Sequence, residues 1–168
     1  MPDQEPLARV IGATRRRINQ CVGRRLRAHR LNPQRFWVLV NLLEAPGSNL
    51  RELARRLRMD EPSASRIVSS LARRRLVKAR KDPADRRRRN LELTVEGRAF
   101  AVKVAPVAAE VRQAVEAGFT VEEKETLRRL LVRVASNMDR LEQRTGFGPG
   151  TGRGNESDRP LVATENAK

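Results

Sequence analysis

Hydrophobic residues recur at helical spacing through the first 75 positions of the chain. From residue 7 to about residue 30 they are three, four and seven residues apart, a pattern that predicts one amphipathic helix. Pro33 indicates the start of a second helix, because proline is tolerated in a first turn, and the Ala-Pro-Gly at 45–47 indicates its end.

Two shorter helices separated by a tight turn are predicted next. A cap at Ser48 or Asn49 indicates a helix over residues 50–57, and a cap at Asp60 indicates another over about 61–74. The apolar positions of each helix share one side, so each helix has one buried face and one polar face. Two helices joined in this way are typical of a helix-turn-helix.

The period changes from helical to alternating near residue 76. Residues 76–80 and 90–94 alternate apolar and polar side chains, which predicts two short strands. Asp82-Pro83 between them is a turn signal, so the two strands are predicted to form a hairpin.

The C-terminal part of the chain returns to helical spacing. A long helix capped by Thr94 is predicted over residues 95–118, with a bend at Pro106. A further helix capped by Thr120 is predicted over residues 121–144. The whole order predicts a mainly α fold with a small β-hairpin wing, that is, a winged helix-turn-helix DNA-binding domain with additional helices.

The distribution of charge indicates the class of partner. The chain of 168 residues has 36 Lys and Arg against 20 Asp and Glu, a net charge of +16. Such an excess favours a polyanion, either nucleic acid or an anionic membrane surface. Residues 51–89 carry 15 basic and 5 acidic side chains, whereas residues 90–144 carry 9 of each. Because the excess coincides with the predicted helix-turn-helix and hairpin, double-stranded DNA is the expected partner.

Several classes of protein conflict with the composition. With one cysteine and one histidine, the chain offers no disulfide framework and no cysteine- or histidine-based metal cluster. Neither a phosphate-binding loop nor a pair of catalytic acids is recognisable, so we predict no enzyme and no cofactor. No apolar run reaches the roughly 20 residues of a membrane span, and the N-terminus lacks a signal peptide's apolar stretch, so a cytoplasmic protein is predicted.

Two groups of residues are candidates for contacts with DNA. The first lies on the polar face of the helix over 61–74, where small hydroxyl side chains let the backbone approach DNA and an arginine can form two hydrogen bonds to guanine. The second is the run of four arginines at 86–89, which repel one another unless they neutralise phosphates or enter a narrow minor groove. The first group is Ser63, Ser65, Arg66, Ser69 and Arg73, and the second is Arg86, Arg87, Arg88 and Arg89.

The hairpin carries a resemblance to a known family. The segment DPADRRRRNLELTVEG at 82–97 closely resembles the wing of MarR-type regulators, whose pattern is Asp-Pro-x-Asp-Arg-Arg, a short strand ending in Leu-Thr, two residues and Gly. The segments LRELARRL at 50–57 and PSASRIVSSL at 62–71 are similar to that family's helix-turn-helix. The resemblance covers about residues 7–141. One departure is Arg75, where the family often has glycine.

The resemblance implies an organisation and a function. A single MarR-type domain would span residues 1–144, with DNA bound by 33–94 and a homodimer formed by 7–30 and 95–144. The remaining residues, 145–168, contain five of the ten glycines and no periodicity, so a disordered tail is predicted. The protein would be a sequence-specific regulator, a homodimeric repressor that binds a palindromic operator and is released by a small ligand.

The resemblance also implies roles for individual residues. Arg87 matches the wing-tip arginine that enters the minor groove, and Asp85 matches the acid that braces it, which leaves the other three arginines as phosphate contacts. Ser63, Ser65 and Arg66 match positions that read bases or contact phosphates.

Some alternatives remain open at the level of sequence. His29, Arg35 and Trp37 are candidates to line a pocket for a small aromatic ligand, although His29 and Trp37 could equally be surface and core residues. Cys21 could sense oxidants as in some relatives, or be a small buried hydrophobic residue. A nonspecific, chromatin-like nucleic-acid binder is the alternative function, since charge alone would suffice for it.

Overall fold

Helices make up most of residues 5–81 and 89–145, the parts of the chain that the computed structural model describes. The predicted mainly α fold with a small β-hairpin is confirmed. The elements in chain order are α1 (Leu7–Leu26), a 3₁₀ turn (Arg27–His29), α2 (Pro33–Glu44), α3 (Leu50–Leu57), α4 (Glu61–Arg73), β1 (Val77–Lys81), β2 (Arg89–Leu93), α5 (Val95–Val104), α6 (Pro106–Glu116) and α7 (Val121–Thr145).

Side-chain caps fix where α2, α3 and α4 begin. The Asn32 side chain accepts the Arg35 backbone N–H at 2.8 Å at the start of α2. Asn49, rather than Ser48, caps α3: its Oδ1 accepts the Glu52 N–H at 2.9 Å, and the Glu52 carboxylate accepts the Asn49 N–H at 3.2 Å. Each cap satisfies a backbone donor that the helix itself cannot pair, so the predicted helix starts are confirmed.

Helix ends differ more from prediction. The first α-helix stops at Leu26, and the segment predicted to continue it to residue 30 is a 3₁₀ turn. That turn ends at Arg30, which has a φ of 49°. Among the described residues, the non-glycine residues with positive φ are Arg30, Arg58 (50°) and Arg75 (57°), all of them arginines that follow a helix. This backbone region costs a residue with a Cβ roughly 1 kcal/mol or more, and glycine is usually found there.

The single bent helix predicted over residues 95–118 is wrong. The structure has two helices, α5 and α6, which meet at Ala105. Pro106 has no N–H to donate and its ring collides with the preceding turn, so the helix cannot continue through it. The Ala105 N–H donates to Ala101 O at 2.8 Å, four residues earlier, as in an α-helix. The Ala108 N–H donates to Ala105 O at 2.9 Å, which is only three residues earlier.

The hydrophobic core takes residues from α1 to α6 and from the hairpin. Its largest fully buried side chains are Phe36, Leu26, Leu39, Leu42, Leu53, Leu71, Val22, Val38 and Val104. On α4, Ala64 and Leu71 are buried and the other predicted core positions, Ile67 and Val68, pack partly buried against the cluster. The opposite face of α4 therefore remains polar and accessible.

The two strands form an antiparallel hairpin that is tied to the rest of the core. Pairing runs from Val77 opposite Leu93 to Lys81 opposite Arg89, one residue later and one earlier than the predicted strands. The Leu91 N–H donates to Ser48 O at 2.9 Å, so the link before α3 pairs with β2.

The described residues fall into two compact units, one ending at Arg128 and the other beginning at Arg129. The second unit is the later part of α7, and much of its apolar surface is exposed, including Leu130, Leu131, Met138 and Leu141. The predicted disordered tail lies outside the described residues except for Thr145, which is the last residue of α7. None of the described helices has the length and apolar character that crossing a membrane requires.

Candidate nucleic-acid interface

The first turn of α4 presents polar side chains on a fixed backbone. The Asp60 side chain caps the helix by accepting the Ser63 N–H at 2.7 Å. This hydrogen bond, with a further contribution from the Ser63 side chain, holds the pKa of the Asp60 carboxyl below its ordinary value. The cap therefore fixes the position of Ser63 at the start of the helix.

Ser63 also orients the neighbouring arginine. The Arg66 Nη2 donates to Ser63 Oγ at 3.1 Å, one turn along the helix, and Arg66 is exposed. This contact brings two of the predicted site residues together. It holds the planar guanidinium near the N-terminal end of α4, the end that meets base edges in a helix-turn-helix.

The other predicted residues of α4 extend the same polar surface. Ser65 is partly buried, and Ser69 and Arg73 are exposed. Arg73 lies seven residues after Arg66, which is about two helical turns or 10.5 Å on the same side. The surface thus begins with hydroxyl groups and ends with an exposed cation.

The stem of the hairpin is cationic. Glu92 on β2 pairs with Lys78 at 3.6 Å and with Arg80 at 4.0 Å, so one carboxylate faces two cations and the group of three keeps a net positive charge. At the far end of the described strands, the backbone of Lys81 pairs with that of Arg89, and Arg89 is exposed. A polyanion bound beside the stem would neutralise its excess of positive charge.

The base of the hairpin is locked between α4 and α5. Thr94 Oγ1 donates to the Arg75 carbonyl at 2.7 Å and accepts the Gly97 N–H at 2.9 Å. A Cβ on residue 97 would lie 1.8 Å from the Leu76 carbonyl oxygen, so only glycine fits. These contacts explain the Leu-Thr-x-x-Gly spacing, and the positive φ of Arg75 explains why glycine would suit that position too.

The tip of the hairpin lies outside the described residues. Asp85, Arg86, Arg87 and Arg88 belong to it, so their roles stay predictions. Arg89, the first residue of β2, is described and is exposed.

Two of the three candidate ligand residues make ring contacts with their neighbours. The His29 ring contacts the Phe100 ring edge-on, with centroids 6.1 Å apart. Trp37 packs against Phe36 with centroids 4.9 Å apart. Arg35 lies in the first turn of α2 and is partly buried, as are the other two.

Cys21 belongs to a small polar cluster between α1 and α6. Its sulfur accepts a hydrogen bond from Arg25 Nη1 at 2.9 Å, and Arg25 Nε donates to Glu110 at 2.8 Å. The hydrogen bond to Glu110, followed by the interaction with Cys21, raises the pKa of Arg25 above its ordinary value. The thiol therefore lies beside a cation that is already paired with a carboxylate.

Sequence reasoning missed several arginines around the helix-turn-helix. On and after α3, Arg51, Arg55, Arg56 and Arg58 are all exposed, and Arg51 pairs with Glu61 at 3.8 Å. The charge count over residues 51–89 contained this signal, but it did not show which of the arginines lie on the surface.

Comparisons with known proteins identify the family. A family model described as MarR family matches residues 30–88. The homoprotocatechuate degradative operon repressor of Escherichia coli is 30% identical over 106 residues, 63% of this chain and 72% of the relative.

Two solved structures share the fold at lower identity. A DNA complex of MepR from S. aureus has a TM-score of 0.69 at 20% identity, covering 80% of this chain and 99% of that one. BpsR from Bordetella bronchiseptica has a TM-score of 0.67 at 22% identity, covering 80% and 96%. The chain belongs to the MarR family, a family of winged-helix DNA-binding transcription regulators rather than enzymes.

Proposed function

We propose that this protein is a homodimeric repressor that recognises a palindromic operator with α4 and the hairpin. The observation that carries the proposal is the polar face of α4, where Arg66 Nη2 donates to Ser63 Oγ at 3.1 Å. The opposite face of the helix is buried in the core. The E. coli relative that is 30% identical is itself named as an operon repressor. The protein would act in the cytoplasm, associated with the nucleoid through DNA.

The α4 surface supports base recognition at one end and backbone contact at the other. An arginine with its fork held in place can donate two hydrogen bonds to O6 and N7 of guanine, the commonest specific contact in the major groove. Ser63, Ser65 and Ser69 add small hydroxyl groups that bond bases or phosphates. Arg73 would contact a phosphate, because it lies two turns away from Arg66.

The hairpin would contact the adjacent minor groove. We assign the groove-inserting role to Arg87 and the bracing role to Asp85, with Arg86, Arg88 and Arg89 on phosphates. The cationic stem supports this arrangement, because Lys78 and Arg80 share the carboxylate of Glu92 and Arg89 is exposed.

The exposed apolar surface of α7 supports a homodimer. At 100° per residue, the stripe Leu127, Leu130, Leu131, Val134, Met138 and Leu141 lies on one side of the helix. All of its members except Val134 are at least 42% exposed in the single chain. Leu7 on α1 is 73% exposed as well. We propose that residues 7–30 and 95–144 form the dimer and that residues 33–94 bind DNA, with recognition helices about 10 bp apart.

A small aromatic ligand would release the operator. The structure of BpsR concerns regulation of its DNA binding by 6-hydroxynicotinic acid, which is an aromatic acid. In this chain His29, Arg35 and Trp37 combine two aromatic rings with a cation on the 3₁₀ turn and α2. Rings that stack and a guanidinium that binds carboxylate suit a ligand of that chemistry.

Selection of duplexes from a random library by the purified protein tests the proposal. A palindrome should emerge and bind about 10³-fold or more tightly than scrambled DNA of the same length. The Arg87→Ala variant should lose operator binding at physiological salt and remain dimeric. If the wild-type protein binds both duplexes equally, the nonspecific chromatin-like function replaces this proposal.

A further inference from the structure

Four arginines meet where α4 ends and the 3₁₀ turn after α1 closes. Arg73, Arg74 and Arg75 follow one another at the end of α4, and Arg74 Nη1 donates to the carbonyl of Arg30 at 3.4 Å. The Arg74 guanidinium also lies 6.0 Å from the centre of the Phe100 ring. All four arginines are exposed. We call this group the arginine shelf.

Two residues of the arginine shelf have a positive φ, a backbone conformation that favours glycine. Arg30 has a φ of 49° and Arg75 a φ of 57°. A cation at a helix end can interact with the helix dipole, but Arg73 and Arg74 already provide that charge for α4. Arginine at position 75 is therefore strained without being needed for α4, and a residue held in a strained conformation suggests a functional reason.

Among the side chains that the structure describes, those of residues 5–80 and 89–144, no carboxylate pairs with the shelf. The ion pairs of these residues involve Arg9, Arg25, Arg51, Lys78, Arg80, Lys124 and Arg128, and no shelf arginine is among them. An anion that bound the shelf would not have to displace a carboxylate from the described part of the chain.

The length of α4 indicates which anion the shelf would meet. The helix has 13 residues and is therefore about 20 Å long, whereas the major groove of B-DNA is about 12 Å wide. With Arg66 directed at bases, a helix that crosses the groove must extend past the bordering phosphates at its C-terminal end. The shelf continues the helix at that end.

We infer that the arginine shelf binds the DNA backbone outside the base pairs read by α4. The inference rests on the proposed DNA-binding mode. It assigns to Arg30, Arg74 and Arg75 a phosphate contact that the α4 and hairpin contacts do not include. The shelf would add affinity and salt dependence without adding sequence preference, because phosphates carry no sequence information.

The test uses the full-length double variant Arg30→Gly/Arg75→Gly. Glycine suits both backbone conformations, so the melting temperature should not fall while two charges are removed. Binding is measured against salt on a 40-bp duplex carrying the selected palindrome and on a scrambled 40-bp duplex. In a dimer the double variant lacks four arginines. If each of them contacts one phosphate, the magnitude of the slope of log K against log salt should fall by about 3.6 on both duplexes. The preference for the palindrome should be unchanged.

A control variant removes the same charge elsewhere. Arg112→Gln/Arg133→Gln takes two exposed arginines from α6 and α7, neither of which is a member of the apolar stripe of α7, and should leave the slope as in the wild type. Hydroxyl-radical footprints should show backbone protection outside the palindrome that the shelf variant loses and the control keeps.

The possible results separate the two proposals. Equal slopes for the shelf and control variants, or an unchanged footprint, would overturn the shelf. If the wild-type protein does not prefer the palindrome, the proposed sequence-specific regulation is wrong. The slopes measured on either duplex would still show whether the arginine shelf binds the DNA backbone.

Discussion

The region from α2 to β2 and the helix α7 both have apolar stripes, but they bury them differently. Phe36, Leu53 and Leu71 in the first region are fully buried within the chain. On α7, Leu131 is 44% exposed and Leu141 is 53% exposed. The two parts of the chain also differ in charge. Residues 51–89 carry 15 basic and 5 acidic side chains, whereas residues 90–144 carry 9 of each.

The difference indicates what each region lacks. The winged region has a complete core and an excess of cations, so its unsatisfied surface is electrostatic and suits a polyanion. Helix α7 has nearly balanced charge, with six basic and five acidic side chains, and an exposed apolar stripe, so its unsatisfied surface is hydrophobic and suits another apolar surface. The same amphipathic pattern in sequence thus has two outcomes, depending on whether the chain itself covers the stripe.

The largest effect should come from Gly97→Ala, which tests whether the winged region is complete within the chain. The new Cβ would lie 1.8 Å from the Leu76 carbonyl oxygen, and backbone must move to admit it. We expect a loss of about 3 kcal/mol or more in the free energy of unfolding, measured by urea denaturation. DNA binding should fall as well, because the base of the hairpin moves away from α5.

Gly23→Ala is the matched control for this prediction. Its Cβ would lie 3.8 Å from Pro33 Cγ, an ordinary contact, and alanine favours a helix by up to about 1 kcal/mol. The control should be as stable as the wild type or slightly more stable. Equal stability of the two variants would show that the hairpin base is not packed as described.

A pair of identical substitutions on α7 tests the other side of the comparison. Val134→Glu places a carboxylate within the apolar stripe, whereas Val132→Glu places one about 160° away around the helix. Val134→Glu should weaken the proposed dimer about 100-fold or more, because two buried carboxylates each cost about 1–3 kcal/mol. Sedimentation equilibrium measures this.

The Val132→Glu variant should remain dimeric. If both variants dissociate equally, or neither does, the stripe is not the dimer surface. In either case the winged region should keep its fold, since its core is contained in the unit that ends at Arg128.

Arg66→Ala tests whether the cationic face of α4 reads sequence. Loss of a two-hydrogen-bond contact should reduce the preference for the palindrome by about 1–3 kcal/mol. Arg73→Ala is the companion variant and should weaken binding to all sequences alike. Competition assays with single-base operator variants measure both. A uniform loss for Arg66→Ala would make that residue a phosphate contact.

Local signals in the sequence predicted the helix starts because each depends on a few adjacent residues. The start of α2 at Pro33, the Asp60 cap of α4 and the Thr94 cap of α5 were predicted correctly, and Asn49 was one of the two caps predicted for α3. The cap that Asn32 provides for α2 was not predicted. The strands were displaced by one residue each, since pairing with the partner strand decides their ends.

Features that depend on local backbone geometry, on rotamers or on tertiary contacts could not be predicted. The break at Ala105 depends on how far Pro106 disturbs the preceding turn. The three arginines in the left-handed backbone region occupy positions where sequence rules expect glycine. The polar face of α4 was predicted from periodicity, but the Ser63–Arg66 contact depends on rotamers that periodicity does not specify. The arginines at 30 and 74 are distant in sequence and meet only in the fold.

The smallest effect concerns the cap of α4 and its dependence on pH. Hydrogen bonds from Ser63 lower the pKa of Asp60, so its carboxylate stabilises the folded state above the ordinary carboxyl pKa of about 4. This contribution is lost as the pH falls through the lowered pKa. In Asp60→Asn the side chain still accepts the Ser63 N–H but does not titrate. The difference in melting temperature between wild type and variant should therefore be largest near pH 7 and shrink towards pH 3.

Glu123→Gln on α7 gives the corresponding measurement in the other region. Hydrogen bonds from Thr120 lower the pKa of Glu123 as well, so acid should reduce its advantage over glutamine in the same way. Because α7 carries no base-reading residue, this variant should bind the operator like the wild type at every pH where the dimer is intact. A gap between wild type and Asp60→Asn that stays constant from pH 7 to pH 3 would show that the carboxylate of Asp60 does not provide the cap, and α4 would then begin through backbone contacts alone.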